Sequence, residues 1–122
     1  MAFKFENLQV WQKAIQFSVT VHELTKTLPA EERFNLSSQI SRATDSISLN
    51  IAEGSTGQSN KEFQRFLGYA NRSAIEVVGC LHLLRAKGLI DNETFDKFYI
   101  DLTEIIRMTQ GLRNSLTKPN NP

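Results

Sequence analysis

The sequence predicts an antiparallel up-and-down four-helix bundle, all α. Three observations carry that expectation. Apolar residues recur in alternating steps of three and four along four separate stretches, the pattern of helices that bury one face. Short connections marked by Pro or Gly, "PAEERFN", "GSTGQ" and "GLID", join the stretches and favour antiparallel neighbours. No segment sustains the alternation expected of a half-buried strand. A hydrophobic period of roughly 3.5 residues further favours shallow, coiled-coil-like crossings.

The first helix is expected over about residues 8–27, with Asn7 as N-cap. Val10, Ala14, Phe17, Val21, Leu24 and Leu28 line one face, Trp11 and Ile15 widen it, and Pro29 interrupts the helix. The second is expected over about 36–53, capped by Asn35 or Ser37, with Leu36, Ile40, Ala43, Ile47 and Ile51 as its stripe. Gly54 follows, where a left-handed C-terminal residue costs glycine least. The third, about 60–87, opens with "SNKE", a capping box in which Ser59 caps and Glu62 reaches back. Its stripe is Phe63, Leu67, Ala70, Ala74, Val77, Leu81 and Leu84, and Gly88 ends it. The fourth, about 92–116, is capped by Asp91 or Asn92. It presents Phe95, Phe98, Leu102, Ile105, Leu112 and Leu116, with Thr109 as the polar member. The polar tail 117–122 is expected to fray. No repeat or linker divides the 122 residues, so one domain over 1–122 is expected.

Composition bounds the function classes. Forty per cent hydrophobic and 22% charged residues describe an ordinary globular chain. At 13.9 kDa, folding hides roughly two-thirds of the unfolded surface, enough for one core. Fourteen basic against thirteen acidic residues leave a net charge of +1, where a dedicated nucleic-acid binder ordinarily carries a basic excess. Cys80 is the lone cysteine, which excludes an intrachain disulfide and reads as a buried thiol. "MAFKFENLQVW" carries charges where a signal peptide needs an apolar core. No run approaches the roughly 20 apolar residues of a membrane span. A cytoplasmic location without membrane contact is therefore expected.

Motifs that carry chemistry are missing. A dimetal bundle needs inward Glu residues with Glu-x-x-His pairs, and the chain has none. His22 and His82 fall on different helices without metal-ligand spacing. There is no Cys-x-x-Cys, His-Glu-x-x-His, Gly-Lys-Ser/Thr loop or Gly-x-Ser-x-Gly elbow. "GSTGQS" follows a helix and lacks the strand and lysine of a phosphate-binding loop. The expectation is a protein without catalytic, metal or cofactor residues, hence no enzyme.

What stands out is polar. "SISLNIAEG", residues 46–54, places Asn50 and Glu53 beside an apolar stripe. With Gln39, Arg42 and Ser46 they form a ridge on the second helix, and Glu62, Arg65, Tyr69, Arg72 and Glu76 form one on the third. An antiparallel hairpin centred near Ser59 brings Arg42 level with Glu76, Ser46 with Arg72, Asn50 with Tyr69, and Glu53 with Arg65. One reading makes the ridge a set of half-buried pairs that fix helix alignment. The other turns it toward another subunit or a ligand, where aromatic residues and arginine are favoured.

"LQVWQKA", "LPAEERFNLSSQISRA", "SISLNIAEG", "SNKEFQRFLGYANRSAIE" and "GLI" follow one another in the order of one bacterial family. Over about Phe3 to Leu116 the chain resembles the four-helix-bundle proteins encoded in intervening sequences of 23S rRNA genes, also described as ribosomal-protein-like. The resemblance implies a helical bundle that assembles into a ring, typically a pentamer, with no known catalytic activity. A similar bundle is the accessory protein of diversity-generating retroelements, which binds reverse transcriptase and nucleic acid. The chain departs from the family pattern in having Ser41 before Arg42 instead of paired arginines, Ser48 instead of proline, and no basic residue at Gln58.

Two functions compete on these grounds. The first is a homo-oligomeric bundle that engages a protein partner. Its candidate subunit interface is Phe66, Ile75, Val78, Tyr99 and Ile106, which exceed what one apolar stripe can bury. The second is an RNA- or DNA-binding accessory protein, linked to rRNA or a reverse transcriptase, with Arg42, Lys61, Arg65 and Arg72 as candidate contacts. Residues 37–87 hold six basic and four acidic side chains, a small local surplus.

Overall fold

The computed structural model describes residues 2–117. Four α-helices carry the fold: α1 (Gln9–Thr25), α2 (Leu36–Ser55), α3 (Asn60–Ala86) and α4 (Asn92–Ser115), with short 3-10 turns at Lys4–Asn7 and Ala30–Glu32. No strand occurs among the described residues. The expected polar tail, beyond Thr117, lies outside them.

Each helix packs on its neighbours around a square. The α2–α3 seam is the most extensive, α3–α4 and α1–α2 follow, and α1–α4 is the sparsest, while the diagonal pairs stay apart. This is the up-and-down four-helix bundle. The 4–3 stripes are the reason: their apolar residues converge on one core, in which Ile40, Ile47, Ile51, Leu67, Leu81, Leu84, Leu102 and Ile105 are fully buried. Trp11 lies at the edge of that core, edge-on to Phe5 at 5.0 Å.

The helix ends depart from expectation in three places. Asn7 belongs to the preceding 3-10 turn, and Leu8 holds the cap position of α1 without a side-chain hydrogen bond. Half of the box at α3 forms: Ser59 Oγ accepts from the Glu62 amide at 3.1 Å, and the Glu62 carboxylate lies near Gly57. Gly54 does not terminate α2 in a left-handed conformation. The helix passes through it to Ser55, and a Cβ at Gly54 would stand 2.4 Å from Phe66 Cβ. The glycine leaves room for Phe66 and Phe63 of α3, which pack where its side chain would stand. The left-handed residue is Gly88, at φ 73°, which closes α3. Asp91 caps α4 by accepting from the Thr94 amide at 2.8 Å.

Candidate interaction surface

The polar ridge divides between two places. At the α2–α3 seam Ser46 Oγ lies 2.9 Å from Ser73 Oγ, and Asn50 Nδ2 donates to the Ser46 carbonyl at 2.8 Å and to its hydroxyl at 2.9 Å. The expected level of the two helices is therefore right within a residue, but Ser46 meets Ser73, not Arg72, and Asn50 turns to Ser46, not Tyr69. The two expected ion pairs are not formed either. Among the described residues the ion pairs are Glu23–Lys26, Glu32–Lys87 and Glu104–Arg107. Arg42 and Glu76 line one depression without pairing; Arg42 Nε points to the Ser38 carbonyl at 3.4 Å. Arg65 lies over the Phe66 ring at 5.7 Å, and Glu53 is exposed. Level along a helix pair follows from spacing, whereas facing depends on azimuth. The residues on α3 that meet α2 are Phe66 and Ser73, one position away from Arg65 and Arg72, a rotation of about 100°.

Arg65, Tyr69 and Arg72 instead border an open groove of about 470 Å³ between α3 and α4, with Ile75, Ile106 and Arg113. Its walls are tied across the helices: Gln64 Nε2 donates to the Arg113 carbonyl at 3.1 Å, and Asn71 Nδ2 to Gln110 Oε1 at 3.2 Å. Asn71 Oδ1 is buried without a hydrogen-bond partner. Arg113 lies across Gly68, where a Cβ would come 3.2 Å from its guanidinium. A second depression continues toward the start of α3, lined by Lys61 and again by Arg65 and Arg113. Lys61, Arg65, Arg72 and Arg113 thus share one side of the bundle, and none is in an ion pair among the described residues.

Of the interface candidates, Ile75 is 61% exposed and Tyr99 39%, while Val78 and Ile106 are half-buried. Phe66 is the exception. It fills the Gly54 approach and sits edge-on to Tyr69 at 5.4 Å, so it serves the α2–α3 seam. Arg113, Gln110 and Asn71 were not singled out by sequence. Their signal was available: in antiparallel α3–α4 they stand level with Gly68 to Ile75, but as solitary polar residues they make no motif.

Other chemistry-bearing groups have structural surroundings. Cys80 is a free, buried thiol whose pKa is raised by burial and then by the Glu76 charge. His82 is exposed and edge-on to Phe95 at 4.9 Å, whose ring also carries the Arg85 guanidinium at 3.8 Å. His22 lines a shallow depression with Ser37. No cluster of three or more His, Cys, Asp or Glu able to hold a metal occurs among the described residues. Among them too, no helix is long and apolar enough to cross a membrane.

These features define a small four-helix-bundle protein whose distinctive surface is a groove that mixes arginine with apolar side chains. The chain belongs to the family of 23S rRNA-intervening sequence proteins, which it matches over residues 6–111. It is similar to a crystal structure of a protein of unknown function from the S23 ribosomal protein family of Bacteroides thetaiotaomicron VPI-5482. The TM-score is 0.81 at 32% identity, over 86% of this chain and 95% of that one. Among curated proteins no significant match is found.

Proposed function

We propose that the protein is a non-enzymatic, self-assembling bundle of the cytoplasm whose α3–α4 side takes part in assembly and in engaging a protein partner. The observation that carries this reading is the composition of that side: exposed Tyr69 and Ile75 lie beside Arg65, Arg72 and Arg113, none of them ion-paired among the described residues. Aromatic residues and arginine with an apolar centre are what protein interfaces enrich. The family resemblance adds the expectation of a pentamer. Light scattering at micromolar concentration tests the reading. A mass several times 13.9 kDa, five times for a pentamer, is expected; a stable monomer overturns it.

A second reading is favoured by one observation, the grouping of Lys61, Arg65, Arg72 and Arg113 along two adjoining depressions. Such a strip suits the phosphates of RNA or DNA, in keeping with a link to rRNA or a reverse transcriptase. Arg42 lies apart, in the depression between α2 and α3. Binding that weakens steeply with salt, with a slope flattened by Arg65→Gln, would support this second reading.

A further inference from the structure

The α3–α4 groove changes character along its length. Gln64 bonded to Arg113 and Asn71 bonded to Gln110 set the level of its two walls. By that register Arg65 and Arg113 stand near one end, Ile75 and Ile106 near the other, and Arg72 between them. Three guanidinium groups border the groove, and no carboxylate does among the described residues, in a chain whose net charge is only +1. None of the three is in an ion pair among the described residues. Arg113 is half-buried, and a cation drawn from water without a partner is costly. An anion at that end relieves the cost.

The cationic strip is also short. Arg65 to Ile75 spans about 15 Å of helix. Glu62 stands beyond the cationic end, in the adjoining depression, and Glu76 lies one turn past Arg72 on the exposed side of α3. A phosphate strand that continued past either end would run onto a carboxylate. Tyr69, 42% exposed, and Ile75, 61% exposed, with Ile106 beside them, offer apolar surface that phosphates cannot use. Charge and apolar area together fit a short occupant that carries both.

We propose that the α3–α4 groove binds a short acidic segment of another protein, with carboxylates at the Arg65–Arg113 end and an apolar side chain at the Ile75–Ile106 end. Each carboxylate accepts from a guanidinium fork, the geometry arginine is built for. Arg65 and Arg72 are one heptad apart on α3, about two helical turns. Two acidic residues at the same spacing on a docked helix therefore meet both, and the apolar residue between them packs on Tyr69. The proposal rests on the partner-binding part of the reading above and adds the chemistry of the partner.

A displayed library of random peptides of about 12 residues, roughly 18 Å as a helix, panned against the full chain tests it. Enriched peptides are expected to combine Asp or Glu with Leu, Ile or Phe. Synthesised with a fluorescein label, they should bind in fluorescence anisotropy and lose about tenfold or more in affinity in R72Q/R113Q and in I75N. R65Q, at an exposed position, reads the same loss should R72Q/R113Q not fold. Enriched peptides without carboxylates, or acidic ones indifferent to these variants, overturn the proposal. Light scattering on the same samples separates it from self-assembly. An oligomer from which no acidic peptide is enriched overturns this proposal alone, whereas a monomer that binds acidic peptides overturns self-assembly alone. If labelled single-stranded RNA binds through these arginines and no acidic peptide does, the groove belongs to phosphate. If R65Q changes the mass and no acidic peptide is enriched, it belongs to a second copy. Either result overturns the proposal.

Discussion

Gly54 and Thr44 show how much a single buried atom decides in this bundle. Alanine at Gly54 gains helix propensity, worth about 1 kcal/mol. The new Cβ, however, would meet Phe66 Cβ at 2.4 Å, and neither atom can rotate away. Gly54→Ala is expected to destabilise by about 1–3 kcal/mol in urea unfolding. Phe66→Ala should give no rescue, because it keeps its Cβ. Thr44 poses the opposite case, since its hydroxyl is buried without a partner. Thr44→Val is expected to stabilise by about 1 kcal/mol. Thr109→Val should not, because Thr109 Oγ1 donates to the Ile105 carbonyl at 2.7 Å. Equal effects of the two valines would contradict this account.

At the scale of elements, the caps make separable predictions. Ser59→Ala removes the hydrogen bond that Ser59 Oγ accepts from the Glu62 amide at the α3 start and is expected to cost about 1 kcal/mol. Glu62→Gln should change little. Asp91 is held below the usual carboxylate range by hydrogen bonds from the Thr94 amide and hydroxyl. A depressed folded-state pKa gives stability that is present above the unfolded value and is lost as pH falls through the folded one. The wild type should therefore melt above Asp91→Ala at neutral pH, with the difference closing below roughly pH 4. A gap independent of pH would contradict a role for the charge. Periodicity made these elements legible: every core position named on α2 and α3, from Leu36 to Leu84, is buried. Gly54 was misread because a glycine at a helix end and a glycine at a helix crossing look alike in one chain. The pairing of Glu53 with Arg65 was misread because spacing yields height but not azimuth. Arg113 stayed hidden because its neighbour Gly68 is 45 positions away.

For the whole molecule, a net charge of +1 conceals an uneven surface. Lys61, Arg65, Arg72 and Arg113 lie along one side. Asp45 and Glu53 are exposed on α2. Assembly through such surfaces couples stability to protein concentration. Thermal unfolding should shift upward as concentration rises tenfold, and the shift should shrink in R65E/R72E. A melting temperature that is independent of concentration in the wild type would speak for folding as a monomer.

The inequality of the four seams also has a kinetic consequence. Only residues 56–59 separate α2 from α3, so the largest helix–helix contact closes the shortest loop and costs the least chain entropy. The α1–α4 seam, sparse and joining the first helix to the last, closes at the greatest sequence separation. The hairpin of α2 and α3 should therefore dominate the folding transition state, with α1 and α4 docking afterwards. Ile47→Val, inside the hairpin, is expected to slow refolding. Phe17→Leu, which disturbs the Phe17–Phe98 contact at 5.9 Å, should chiefly accelerate unfolding. Stopped-flow chevrons with those two effects reversed would place the nucleus at the chain ends.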